Sequence, residues 1–331
     1  MPLFMRRNLN PTALMMACRG SALSLLTSPP ESAPVCTEMF FSLSLKQDIN
    51  RVVAWLVEHY GDGFHAVSDA VLTWVLVPLE TALRATPSWA VLLAVGALAW
   101  HATRRVFMSV LLVALLYLIG AFGLWDKLMQ TLALMLVSTV LTLLLGIPLG
   151  ICMSRSSWMR KLLLPVLDVM QTLPTFVYLI PVLMLFGLGK VPAIFATVVY
   201  ALPPLIRLTD LGIRQVDPDV TEAAWSLGTS KWQLLVDVQL PLARPSIMAG
   251  INQSVMMTLG MVVIASMIGA RGLGEDVLQG IQTLDTGTGL QAGIAIVIVA
   301  IVIDRISQAY GLTRRQRRAL KQPHSKEQTR K

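Results

Sequence analysis

Residues 128–153 read LMQTLALMLVSTVLTLLLGIPLGICM, 26 residues without one charged side chain. Wound as an α-helix they extend about 39 Å, more than the roughly 30 Å hydrocarbon core of a bilayer. Backbone N–H and C=O groups in hydrocarbon need partners within the protein, so the run reads as a membrane-spanning helix. Gly146 and Pro148 inside it mark a kink whose freed carbonyl a neighbouring helix satisfies. Five further segments repeat the pattern, with charges only near their ends: 106–125, 162–188, 192–208, 243–268 and 290–310. A shorter one, 89–102, is bracketed by Trp89 and Trp100 as interfacial aromatics bracket a span. The fold class is therefore all-α, a polytopic helical membrane protein with about seven transmembrane helices.

Composition agrees. Of 331 residues, 55% are hydrophobic and 14% charged, against about 45–50% and about 25% in soluble chains. That excludes an ordinary water-facing surface, and it is the reverse of the low hydrophobicity and high charge of disorder. The formal charge of +8 would suit a nucleic-acid binder, but +7 of it lies between Gly311 and Lys331, where eight Lys and Arg face Glu327 alone. That stretch lacks the aromatic or motif context of a nucleic-acid site. It reads as a basic cytoplasmic tail, 311–331, able to touch anionic lipid.

Chemistry is hard to find. Cys18, Cys36 and Cys152 form no C-x-x-C pair, and His59, His65, His101 and His324 have no zinc spacing. Gly187-Leu-Gly-Lys190 precedes Val-Pro and lacks the phosphate-loop spacing. We expect no catalytic residue, no metal site and no ATPase site in this chain, which is read as a transporter subunit rather than an enzyme.

Short-loop Lys and Arg set the orientation. Arg104-Arg105, then Arg155, Arg160 and Lys161, then Arg207 to Arg244, then the tail fall at alternate span ends, so those ends are cytoplasmic, with the N-terminus outside and the C-terminus inside. Lys127, Lys190 and Arg271 belong to the other side. Residues 1–45 form an N-terminal extension, read as disordered around Pro29, Pro30 and Pro34, with no clean signal-peptide core and Met39 as a possible start. Residues 46–87 carry an apolar stripe (Val53, Leu56, Val57, Val67, Val71) interrupted by Glu58, His59, Asp62, His65 and Asp69, which predicts an amphipathic interfacial region. The transmembrane domain covers 88–310.

One polar loop is long. Residues 209–242, TDLGIRQVDPDVTEAAWSLGTSKWQLLVDVQLPL, lie on the cytoplasmic side. Asp217 before Pro218 predicts an N-cap, Gly228 a left-handed C-terminal turn, and Ser230 with Gln233 a capping box opening a second helix that Leu240-Pro241 stops.

At these residues the chain resembles a family. Glu222-Ala223-Ala224, then Gly228, Val238 and Leu240-Pro241 are similar to the EAA loop of permease subunits in binding-protein-dependent ATP-binding-cassette importers, with Val238 where that pattern has Ile. The resemblance runs from about Leu128 to Tyr310. Residues 168–175 (DVMQTLPT), 181–189 and 268–276 (IGARGLGED), followed by Gln279-Gly280, resemble the glycine betaine/proline betaine branch. It implies an inner-membrane permease that imports quaternary-ammonium osmoprotectants by alternating access. Two permease copies would pair with two cytoplasmic ATPase subunits, which hold the ATP and Mg, and an external substrate-binding protein would feed them. The loop's short helix would seat in a groove of the ATPase, and the residues at Glu222, Ala223, Ala224, Gly228, Val238, Leu240 and Pro241 would couple the two.

Other features leave alternatives open. Asp168 lies about 10 Å beyond Lys161 along its helix and is read either as a gating or structural ion pair with Arg207, or as a carboxylate held by local backbone or water. The loop of Gly269, Arg271, Gly272 and Gly274 is read as a contact for the binding protein or as a plain turn. Scattered aromatics form no cage for a fixed cation, which places specificity in the binding protein. The rival class, an ion-coupled secondary transporter, would show paired half-repeats with broken helices, and none is convincing here.

Overall fold

Side-chain crowding along three long helices organises the fold. The computed structural model describes residues 45–311, all helix and connecting turns among the described residues. The N-terminal extension and the basic tail lie outside them, save for Leu45 and Gly311. The chain divides into two units, Met1–Asp48 and Ile49–Lys331, and the packing below concerns the second.

In chain order the elements are α1 (Leu45–Val71), a π-helical turn (Leu72–Leu76), α2 (Val77–Ala85), α3 (Ser88–Thr103) and α4 (Val106–Ala121). Then follow α5 (Trp125–Arg155), α6 (Ser157–Thr172), α7 (Thr175–Phe186), α8 (Lys190–Arg214) and α9 (Pro218–Ser226). The chain ends with α10 (Lys231–Gln233), a π-helical segment (Leu234–Gln239), α11 (Leu240–Ala265), a second such segment (Ser266–Ala270), α12 (Leu273–Thr283) and α13 (Thr286–Gly311).

Each expected span falls on helix, but two expectations change. Among the described residues five helices are long and apolar enough to cross a membrane: Val57–Ala85, Trp125–Arg155, Lys190–Arg214, Lys231–Ala270 and Thr286–Tyr310. The first falls where the charge pattern indicates an interfacial region, and it qualifies by length and composition alone. The expected single span 162–188 is α6 and α7, bent by 104°. Pro174 disfavours helical backbone at the residue before it, and Leu173 is extended at ψ 136°. The two apolar helices α3 and α4 have 16 residues each, joined by Arg104 at φ +56°.

The second change concerns Pro241. It does not stop the second loop helix. The amide of Leu240 reaches the Leu235 carbonyl, one residue beyond the α-helical partner, and Pro241 follows this widened turn without ending the helix. The helix therefore continues through Pro241 from Lys231 up to a kink at Ile268 and Gly269, whose backbone is non-helical, Gly269 at φ +99°.

α8 is central, packed chiefly against α11 and α5. Its neighbours touch it through glycine, as close membrane-helix pairs require. A Cβ on Gly150 of α5 would lie 2.6 Å from the Thr209 Cβ, and one on Gly212 of α8 would lie 2.6 Å from the Ser246 Cβ of α11. The Ser254 hydroxyl donates to the Ala201 carbonyl at 2.7 Å, bonding α11 to α8. Gly150→Val or Gly212→Val should therefore destabilise the protein by about 1–3 kcal/mol through overpacking. Thermal unfolding in detergent checks this, with Gly260→Ala, whose Cβ would meet nothing within 4 Å, as the variant that stays near wild type.

Candidate functional site

Local backbone chemistry builds the polar face after α8. Asp217 caps α9, its Oδ1 accepting from the Asp219 amide at 3.0 Å, and Pro218 fills the first helical position. At the other end Gly228, at φ +79°, donates its amide to the Trp225 carbonyl at 2.9 Å, while Thr229 donates to the Ala224 carbonyl at 3.3 Å. These two bonds form a Schellman turn, which needs the left-handed residue. Ser230 and Gln233 close both halves of the capping box, at 2.9 and 3.3 Å.

The residues of the motif separate into two groups. Glu222, Ala223 and Gly228 are exposed, and Ala224 is buried. Val238 and Leu240 are half-buried, Leu240 against the cluster of Ile213, Leu235 and Ala243, and Pro241 is exposed. Around the exposed group stand large apolar side chains that the motif does not include: Leu227 is 85% exposed, Trp232 71% and Trp225 47%. Exposed apolar patches rimmed by polar groups mark protein or membrane contacts. Arg155 at the end of α5 donates to the Lys231 carbonyl at 2.9 Å, tying this face to the bundle.

Behind that face lies a charge cluster. Asp210, 3% exposed, sits 3.3 Å from Arg160 Nε of α6 and 3.2 Å from Arg214 Nε of its own helix. One rung further along, Arg207 of α8 pairs with Asp168 of α6. α6 thus offers Arg160 and Asp168, and α8 offers Asp210 between Arg207 and Arg214. The buried Met153, Leu167 and Ile206 fill the space beside them. Of the two readings of Asp168, the geometry is that of the ion pair. Sequence reasoning misses the cluster of Asp210, Arg160 and Arg214 because it begins the loop at Thr209. Continuing the helical period shows Arg207, Asp210 and Arg214 on one face of α8.

The opposite ends of the helices carry separate pairs. Lys127 of α5 pairs with Asp276 of α12, and the Leu273 amide donates to Thr131 Oγ1 at 3.0 Å. Lys190 meets both carboxylate oxygens of the buried Glu80, at 2.7 and 2.6 Å, and Arg84 grips Asp126 at 2.6 and 3.0 Å. In the glycine-rich loop Gly269 and Arg271 are exposed, whereas Gly272 and Gly274 are buried. A Cβ at Gly274 would collide with the Val263 carbonyl, so those two serve packing. Asp285 caps α13. Hydrogen bonds from the Thr288 hydroxyl, then from the Thr288 and Gly287 amides, hold its carboxyl below the usual range. Among the described residues no three His, Cys, Asp or Glu side chains gather as metal ligands.

Comparison with known proteins places this geometry in a family. Residues 142–316 match the family described as binding-protein-dependent transport system inner membrane component. The chain is 46% identical over 269 residues to the glycine betaine/proline betaine transport system permease protein ProW of Escherichia coli K12, covering 81% of this chain and 75% of that protein. It is 44% identical to the glycine betaine transport system permease protein OpuAB of Bacillus subtilis, covering 80% of this chain and 94% of that one. It is 43% identical to the glycine betaine/carnitine transport permease protein GbuB of Listeria monocytogenes, covering 81% and 96%. Among solved structures, an inward-facing MetNI methionine ABC transporter aligns at 20% identity and a TM-score of 0.50, covering 58% of this chain and 93% of that chain, a likeness of fold alone. The chain belongs to the binding-protein-dependent inner membrane transport components, as the loop residues implied.

Removing the carboxylate charge at Asp210 would leave two guanidinium groups facing one another at a buried position. Asp210→Asn should cost about 1–3 kcal/mol, less than a wholly buried pair because both arginines are partly exposed. Thermal unfolding in detergent measures it, and Asp210→Glu should recover part of the loss.

Proposed function

We propose that this chain is the membrane-spanning subunit of an ATP-driven importer of glycine betaine/proline betaine-type osmoprotectants. It forms the translocation pathway by alternating access and draws its energy from a separate ATPase. Family membership supports transport, and the named functions of relatives 43–46% identical over about four fifths of the chain support the substrate class.

The observation that carries the coupling role is the exposed surface of α9 and α10. Leu227, Trp225 and Trp232 stand in the open beside Glu222, on a segment that runs through Leu234–Gln239 into the helix Leu240–Ala265. An ATPase groove that covers this patch would gain apolar burial, and a basic residue there would meet Glu222. ATP and Mg reside on that partner. Gly269 and Arg271, the exposed members of their loop, are positioned to meet the external binding protein, and a second copy of this chain completes the pathway.

ATP-dependent uptake into vesicles holding the permease, its ATPase and its binding protein tests the reading. Ala223→Trp, which adds bulk at the contact, and Gly228→Val, which strains the left-handed turn, should each lower uptake by about tenfold or more, as loss of an interface anchor does. Uptake that continues without the ATPase, or is undiminished in both variants, would overturn the coupling role.

A further inference from the structure

The ion pairs of this protein differ in one respect that bears on the solute. At the ends away from α9, the carboxylates of Glu80 and Asp276 are buried, their side chains 9% and 8% exposed. Asp126 is exposed but stands in the first turn of α5. Asp210 is buried between two arginines. Asp168 combines depth with access: its side chain is 64% exposed and that of its partner Arg207 is 32% exposed. Asp168 lies about 10 Å from Lys161 along α6, and Arg207 lies the same distance from Arg214 along α8. The adjoining Leu167 and Ile206 are buried. The pair therefore stands at the rim of a packed cluster, open on one side.

A charge open at that depth does not face lipid tails, where it lacks solvation. Such groups turn to a water-filled cavity or to protein. Gln171 and Thr172, one turn beyond Asp168 and also exposed, continue a polar strip up to the bend at Pro174. Arg207 also has unused capacity. It meets Asp168 through one Nη. A guanidinium with a free edge is suited to receive a second carboxylate in its plane.

We propose that Asp168 and Arg207 form a transit site for a zwitterionic solute inside the membrane pathway, Arg207 receiving its carboxylate and Asp168 its quaternary ammonium. This rests on the osmoprotectant reading above and names where in this chain the solute is held. The two ends of the pair exchange partners as the solute enters, and no bond is made or broken. A quaternary ammonium has no N–H to donate, so Asp168 holds it by charge alone. The pair is neutral and so is a betaine, so the occupied site carries no net charge. A cation would take Asp168 and leave Arg207 uncompensated, and an anion would do the reverse. Selection for zwitterions thus follows from charge count at this site and is separate from selection by the external protein.

The test uses the permease–ATPase complex in lipid nanodiscs without the binding protein. Saturation-transfer NMR on the trimethyl protons of two probes, glycine betaine and choline, reports their binding. Wild type should bind glycine betaine about tenfold better than choline. Arg207→Gln should reverse that preference, because a lone carboxylate favours the cation, and Asp168→Asn should weaken choline more than glycine betaine. The double exchange Asp168→Arg with Arg207→Asp keeps a neutral pair and should restore glycine betaine, which also covers single variants that fold poorly. Absence of a saturable glycine betaine signal in wild type, or equal proportional changes for both probes in every variant, would overturn the site. Wild-type vesicles supplied with binding protein and ATP that take up no betaine would overturn the function itself. Intact uptake with no preference switch would remove only this site.

Discussion

Hydrocarbon offers the backbone no hydrogen-bond partner, and this one constraint shapes the rest of the protein. Each proline or turn within the membrane domain must return its freed groups to the chain itself. At Leu234–Gln239 the helix does so by widening to reach one residue further back, so that Pro241 enters without breaking it. At Leu173-Pro174 widening is insufficient, and the chain turns by 104°. A widened helix transmits displacement and a sharp bend redirects it. The same requirement therefore yields a stiff element, from Lys231 to the end of α11 at Ala265, beside a hinged one.

Stiffness at the centre comes from contact distance. Gly150 and Gly212 bring α5 and α11 against α8 with no room for a methyl group, so the three helices form one packed body. Arg155, at the end of α5, holds the carbonyl of Lys231 where the second loop helix begins. A force on α9 and α10 thus reaches α11 along a continuous helix and α5 through a hydrogen bond. The exposed Leu227 and Trp232 are the places where a partner could apply it.

The spans were legible because an uncharged run of twenty or more residues has few other physical solutions. Loop capping was legible for a similar reason: Asp217-Pro218, Gly228 and Ser230 with Gln233 are local devices, complete within four residues. Helix ends and tertiary charge pairs were less so. Pro241 reads as a stop when only the α-helical register is considered, and the wider register depends on what lies behind Leu235. Asp210 reads as the start of a polar loop because its compensation by Arg160 comes from 50 residues away in sequence. The glycines at 269–274 look alike in sequence, yet Gly274 is fixed by the Val263 carbonyl while Gly269 is exposed.

The cluster at Asp210 bears on how the loop and the spans communicate. One carboxylate shared by two guanidinium groups is poorly committed to either, since losing one contact leaves the other in place. Arg214 belongs to the last turn of α8, three residues before the cap of α9, and Arg160 to the first turns of α6. A shift of α9 that draws Arg214 away leaves Asp210 on Arg160, and one that pushes Arg214 inward weakens the Arg160 contact. Either change acts on the junction of α6 and α8, where Arg207 and Asp168 form the next rung. The shared carboxylate allows the two helices to slide over a small range without stranding a buried charge, whereas a single committed pair would oppose any displacement. An excess cation at this position is thus consistent with a joint that moves.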